Sequence, residues 1–165
     1  MSDPGLAHAI AALVTSQRIA AFATSDAGTP AASLVAFALD KSATGALLHL
    51  SDLAAHTRNV RHDPHAALLI HAPDADPDAD PQMLARLTLR GVVMPLTRDH
   101  PDYMAARAGY LARLPHAEPR FAFGDFRLYR LAIRDVAYVG GFARAMRLTV
   151  AEFADVMRPA TEDSR

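Results

Sequence analysis

The sequence predicts a mainly β domain, an antiparallel barrel carrying helices on its outside. Three observations lead there. Short apolar runs follow one another in groups instead of alternating strictly with helices. The long helical patterns fall at the two chain ends and in two connections. The run 31–39 is apolar on both of its faces: Ser33, Val35, Phe37 and Leu39 on one, Leu34, Ala36 and Ala38 on the other. Such a strand belongs in the middle of the sheet with cover on both sides.

Residues 4–16 read as a helix, because Pro4 sits early and Leu6, Ile10, Leu13 and Val14 repeat at helical spacing. Residues 18–24 form a strand, Ser25 to Pro30 is turn material, and 31–39 and 46–50 complete a meander. A helix over 53–61 ends at Asp63-Pro64, and 65–71 is the next strand. Residues 72–82 are an acidic, proline-rich segment expected to be a mobile loop. Its carboxylates lack the Gly and closing Glu of an EF-hand loop. Residues 84–94 alternate Leu87 and Leu89 with Arg86, Thr88 and Arg90, so one side of this strand is wet or lines a polar site. A helix over 99–114, capped by Thr97 or Asp99, precedes Pro115 and Pro119. The strand over 126–139 is expected to break near Arg134-Asp135. Gly140-Gly141 bends the chain, and Thr149-Val150-Ala151-Glu152 fits a capping box for a last helix, with 159–165 a frayed tail.

Composition narrows the function. The chain has 165 residues, read as a single domain, and is 51% hydrophobic, enough for a packed core. Its net charge of -1 provides no basic excess for nucleic acid. With no Cys, disulfides and thiolate metal sites are excluded. No apolar run reaches the roughly 18 residues of a membrane span, and Met1-Ser2-Asp3-Pro4 lacks the basic start of a secretory signal. The expectation is a cytoplasmic protein with no membrane and no nucleic-acid partner.

The most informative segment runs from Leu47 to Val60. An apolar strand passes through Ser51 and Asp52, either of which can cap the helix that follows. Free N–H groups at a helix start, beside Ser51, His56, Thr57 and Arg58, suit a phosphate and so a phosphorylated cofactor. The alternative is an ordinary capped helix with solvated polar residues. No Gly-x-Gly-x-x-Gly, Walker or Gly-x-Ser-x-Gly motif is present. The eight His show no His-x-x-x-His pair, and no metal is expected. His49 and His71, in apolar strands, read as neutral, satisfied barrel histidines. Arg86 can pair with a phosphate or a flavin oxygen, or lie on a solvated strand face. Phe121, Phe123 and Phe126 read as core or dimer packing ahead of ligand stacking.

Four stretches carry a resemblance: Gly28 to Val35, Ser51 to Asn59, Arg86 to Gly91, and Gly124-Asp125-Phe126 leading to Val139 through Ala145. In them the chain resembles the flavin-binding split-barrel proteins related to pyridoxamine 5'-phosphate oxidase, nearest the haem-utilisation branch. The resemblance implies a six-stranded antiparallel split β-barrel that forms a homodimer with FMN at the interface. It implies that Ala32, Ser33, Leu34 and Val35 meet the flavin. Leu50 also binds the cofactor, Ser51, His56, Thr57 and Asn59 hold its phosphate, Arg86 reaches the ring or ribityl chain, and Phe142 covers the ring from the partner. The function so implied is an FMN-dependent oxidoreductase acting on a small molecule, with flavin N5 and no side chain doing the chemistry. Two departures point to the alternative, a flavin- or haem-binding carrier without turnover. The strand reads Ala32 to Phe37 where pyridoxamine phosphate oxidases have Arg-x-Val-Leu-Leu-Lys, with Ala55-His56 in place of an Arg-Lys pair. The chain also stops soon after 150–157, short of the C-terminal domain of haem-degrading relatives.

Overall fold

A computed structural model describes residues 3–141 and 145–158. Phe142 and the tail 159–165 lie outside the described residues. Three strands open the sheet: β1 (Ile19–Asp26), β2 (Thr29–Leu39) and β3 (Gly45–Ser51). β1 and β2 are joined through Ala27 and Gly28, both at positive φ, the turn that matches strand twist in a two-residue hairpin. Helix α2 (Ala55–His62) leads to β4 (His65–His71), and β5 (Arg86–Leu96) follows a short 3-10 turn at Pro81–Met83. Helix α3 (Tyr103–Arg113) and a 3-10 segment, Pro115–Ala122, precede β6 (Phe126–Val139), β7 (Ala145–Leu148) and α4 (Val150–Met157). β7 has no counterpart in the sequence reading. Helix α1 (Pro4–Ser16) matches it end to end, with Asp3 accepting from the N–H groups of Gly5 and Leu6.

The strand order is β3-β2-β1-β4-β5-β6-β7, all neighbours antiparallel, and β3 also pairs with β6. That last pairing closes a six-stranded barrel, with β7 added to the edge of β6. β3 pairs with β2 only over Ala46, Leu47 and Leu48, but with β6 along its whole length. Residues 29–36 of β2 therefore have no strand on the side facing away from β1. Helix α2 lies over this opening, against β1 and β2.

The interior is filled by Phe22, Phe37, Leu48, Leu68, Leu89 and Leu131, among others. α1 and α4 seal it with Ile10, Leu13, Val14 and Phe153. Phe153 is fully buried, worth about 1.5–3 kcal/mol, and its helix starts with the predicted capping box of Thr149 and Glu152. A second cluster packs α3 and the 3-10 segment on Ala38, Leu47, Leu96 and Leu128.

β3, not β2, is covered on both faces, because α3 and the 3-10 segment reach only the Leu39 end of β2. Leu34 of β2 is 67% exposed. Helix α3 starts at Tyr103, not 99, because Pro101 disfavours helical backbone at His100. α2 starts at Ala55, and Ala54 at its cap position makes no side-chain bond, so neither Ser51 nor Asp52 caps it. β6 is one continuous strand, but the irregularity expected near Arg134-Asp135 exists as a bulge. Arg90 faces Asp135 and Gly91 faces Ile133, leaving Arg134 without an opposite residue. The segment from Pro73 to Met83 is exposed.

The bulge explains Gly91. A Cβ there would sit 1.9 Å from the Ala132 carbonyl oxygen. Gly91→Ala is expected to lower stability by about 2–4 kcal/mol, since backbone must move. Gly109, inside α3 with nothing within 4 Å of its would-be Cβ, is the control: Gly109→Ala should gain about 0.5–1 kcal/mol. Urea midpoints of the two variants check the contrast.

Candidate functional site

The expected site residues gather at the opening between β2 and β3, with α2 across it. Ser33, Val35 and Phe37 point inward along β2 next to Phe22 of β1, which pairs with Ser33. The Phe22 ring meets the edge of His56 at 5.8 Å. Burial pulls the His56 pKa below its ordinary value, so the ring is neutral at pH 7 in this state. Asn59 donates to Thr24 Oγ1 at 3.0 Å, and both are buried. Thr57 is fully buried, and its hydroxyl, like that of Ser33, has no hydrogen-bond partner.

The turn before α2 is held by carboxylates. Ser51 donates its hydroxyl to Asp125 at 2.6 Å and accepts from the Leu53 N–H. The Asp52 N–H donates to the Asp125 carbonyl, and the Asp52 carboxylate accepts from Arg127 at 2.8 Å with Arg61 3.7 Å away. Arg58 donates to the Leu53 carbonyl. Ser51 thus acts within the turn. Asp125, named in the sequence only within a motif, fixes this turn; local spacing gives no sign of that role because its partner is 74 residues away.

Three expected residues stand elsewhere. Arg86 faces His71 on β4 and Val139 on β6, whereas Ser51 faces Phe126 at the other end of β6. Those ends are roughly 40 Å apart along the strand, so one protomer does not bring Arg86 to the α2 start. Arg86 donates to the carbonyls of Gln82 and Leu84. Leu34 and Ala32 point outward. Leu34, Ala21 and Leu69 form a row across β2, β1 and β4, continued by Thr88 of β5. With Ile19 at 51%, Leu34 at 67% and Leu69 at 36% exposed, this face is an apolar surface. His71, two residues beyond Leu69, is exposed, contrary to its reading as a barrel histidine. Its Nδ1 donates to the Ala72 carbonyl at 2.7 Å, which leaves Nε2 as a free acceptor.

Beside Ser51 on β3, His49 stacks on Phe121 with ring centres 3.8 Å apart and touches Phe126 and Tyr110. Phe121 is therefore core, while Phe123 is half exposed. His49 is buried, but its Nδ1 has no partner, so it is not the satisfied histidine expected. Burial, then Arg120 and Arg107, pushes its pKa down to about 4.

A six-stranded antiparallel barrel with an open edge under a short helix defines the split-barrel class, in which flavin- and haem-binding proteins share one fold. The chain belongs to the CREG β-barrel family, whose model matches residues 2–155. A structure of a heme binding protein from Mycobacterium smegmatis superposes with a TM-score of 0.80 at 33% identity, covering 94% of this chain and 62% of that one. "Non-canonical heme oxygenase HOZ, chloroplastic" of Arabidopsis thaliana is 35% identical over 118 residues, 72% of this chain. This chain spans 34% of the length of that relative. HutZ, a heme storage protein of Vibrio cholerae, shares the fold at 21% identity, a TM-score of 0.67, and 81% and 91% coverage of the two chains. Among the described residues no helix is long and apolar enough to cross a membrane, and no group of three or more His, Asp or Glu could hold a metal ion.

His49 sets a pH dependence. The folded chain holds it neutral, while the unfolded chain takes up a proton below pH about 6.5. Stability is then unaffected by this group above that pH, falls as pH drops toward 4, and levels off below. The loss is on the order of 3 kcal/mol for a shift to about 4. Thermal melts from pH 7 to 4 should show this slope, and His49→Phe should flatten it.

Proposed function

We propose that this chain binds haem, holding the flat tetrapyrrole against the apolar face of β1, β2 and β4, with a second copy of the chain closing over it. One observation carries this reading over a phosphate-anchored cofactor. At the start of α2 the Ser51 hydroxyl is committed to Asp125, and Arg58, Arg61 and Arg127 are all engaged. A phosphate dianion there would face the Asp52 and Asp125 carboxylates, and the fully buried Thr57 offers it nothing. The sheet face suits haem. Leu34, Leu69 and Ile19 supply apolar contact, His71 presents a fixed Nε2 to iron, and Arg86, directly across from His71, can pair with a propionate. Haem, when bound, supplies an iron with redox and ligand chemistry; the residues here bind and orient it. The heme binding protein of M. smegmatis and the Arabidopsis heme oxygenase, each about a third identical, support haem. The second copy is supported by the exposed face itself, which one protomer leaves open to water. Two copies would also offer Arg86 from one chain and the α2 start from the other.

A second reading, an FMN-dependent oxidoreductase acting on a small molecule, is favoured by the free edge of β2. Unpaired N–H and C=O groups over residues 29–36 complement the donors and acceptors of a flavin pyrimidine ring. The N–H groups of Ala55 and His56, in the first turn of α2, could take a phosphate. Neutral His56 would then gain a proton with the anion.

Parallel titrations separate the two. Haem at micromolar concentration is expected to give a shifted Soret band that His71→Ala alters, with FMN left free in the filtrate. Retained FMN with an unchanged haem spectrum would overturn the haem reading. Leu34→Asp should convert a dimer to a monomer in sedimentation velocity; a monomeric parent protein, or a dimer that survives the change, would refute the shared face.

A further inference from the structure

One cleft lies at the β1–β2 turn end of the outer sheet face, two residues along β1 and β4 from the Ala21–Leu69 pair. It measures about 490 Å³ and opens between the β1–β2 turn, the start of β4, and the bulge where β5 meets β6. Its floor is small and apolar: Ala23, Ala66, Ala67 and Gly91. Its polar groups are Arg90, Arg134, His65 and Asp63, with Thr24 and Ser25 at the rim.

The bulge builds this cleft. The register shift leaves Arg134 as the extra residue of β6, and an extra residue is how a sheet re-aims a side chain. Gly91 makes the shift possible, since any Cβ there collides with the Ala132 carbonyl oxygen. Arg134 has no ion-pair or hydrogen-bond partner among the described residues. Its neighbour Asp135 is already neutralised by Arg90, through a short contact, and by Arg147 at 3.3 Å. Asp135 therefore does not compete for Arg134. Across the cleft, His65 is held through Nδ1 by the Asp63 carboxylate at 2.8 Å. That bond fixes the ring with Nδ1 as the donor and leaves Nε2 as an acceptor on the cleft wall.

We propose that this cleft binds the carboxylate of a small molecule with a flat apolar body, the carboxylate on Arg134 and the body on the alanine floor. A guanidinium takes a carboxylate with two parallel hydrogen bonds, and an alanine and glycine floor leaves room for a ring to lie flat. The carboxylate can come from a free aromatic acid or from the propionate of a tetrapyrrole. The proposal does not depend on haem binding to the sheet face.

The probes are 1-naphthoate, protoporphyrin IX and protoporphyrin IX dimethyl ester, added to the full chain. The readouts are amide chemical shifts of Ala23, Ala66, Ala67 and Gly91, and the dissociation constant. Arg134→Gln is the test variant, because Arg134 is exposed and its loss leaves the core intact. Naphthoate is expected to move those amides and to bind at least tenfold more weakly to Arg134→Gln, while the ester leaves them in place. A response to protoporphyrin IX alone, lost in Arg134→Gln, assigns the carboxylate to a tetrapyrrole and also supports the site. Amides that move for no probe, or affinities unchanged in Arg134→Gln, overturn it. The naphthoate arm contains no iron, so its failure is distinct from failure of the Soret titration.

Discussion

The pairing of β3 with β6 is the constraint on which the rest depends. β3 leaves β2 after Ala46, Leu47 and Leu48 and runs along β6 for its whole length. That exchange closes the barrel, and closure removes exposed strand edges. It also leaves a stretch of β2 unpaired, and α2 fills the opening. α3 and the 3-10 segment then pack over β3, whose residues from Gly45 to Leu50 are all buried. The outer face of β1, β2 and β4 receives no helix. Where cover falls on this barrel follows from where β3 goes, and the uncovered face is the one left for a ligand or a second copy.

Charge decides what the opening can accept. A helix start favours anions through its free N–H groups and dipole. Around α2 that preference is opposed by Asp52 and Asp125, and the cations nearby serve those carboxylates or a carbonyl. The buried hydroxyls of Ser33 and Thr57 lack partners, yet Thr57 is sealed from solvent. Polar groups costly to bury are present here beside two carboxylates, and Arg58, which pairs with no carboxylate among the described residues, is tied to the Leu53 carbonyl. The outer sheet face is the opposite case: apolar, broad, and bordered by His71 and Arg86.

Much of this was legible in the sequence, and the rest was not for physical reasons. Local signals were read correctly: Pro4 and the helical repeat for α1, the capping box before α4, the Gly28 turn, and the disturbance near Arg134. These depend on neighbours within a few residues. The burial of β3 on both faces was missed because it depends on α3, which begins only at Tyr103. Local periodicity carries no record of a contact so distant along the chain. The apolar outer row of β2 was visible, but whether a row is covered is a tertiary fact. Likewise Ser51 looks like a cap and anion ligand by spacing, while its partner Asp125 lies 74 residues on and is brought beside it by the pairing of β3 with β6. His49 and His71 sit in similar apolar strands, yet one stacks on Phe121 without a partner for Nδ1 and the other stands on the surface.

Hydrogen exchange with and without ligand tests the central claim most directly. If haem lies on the uncovered sheet face, adding it should slow exchange in residues 19–23, 32–36 and 67–71, and leave residues 51–59 unchanged. Protection confined to 51–59, with the sheet face exchanging as before, would contradict the account.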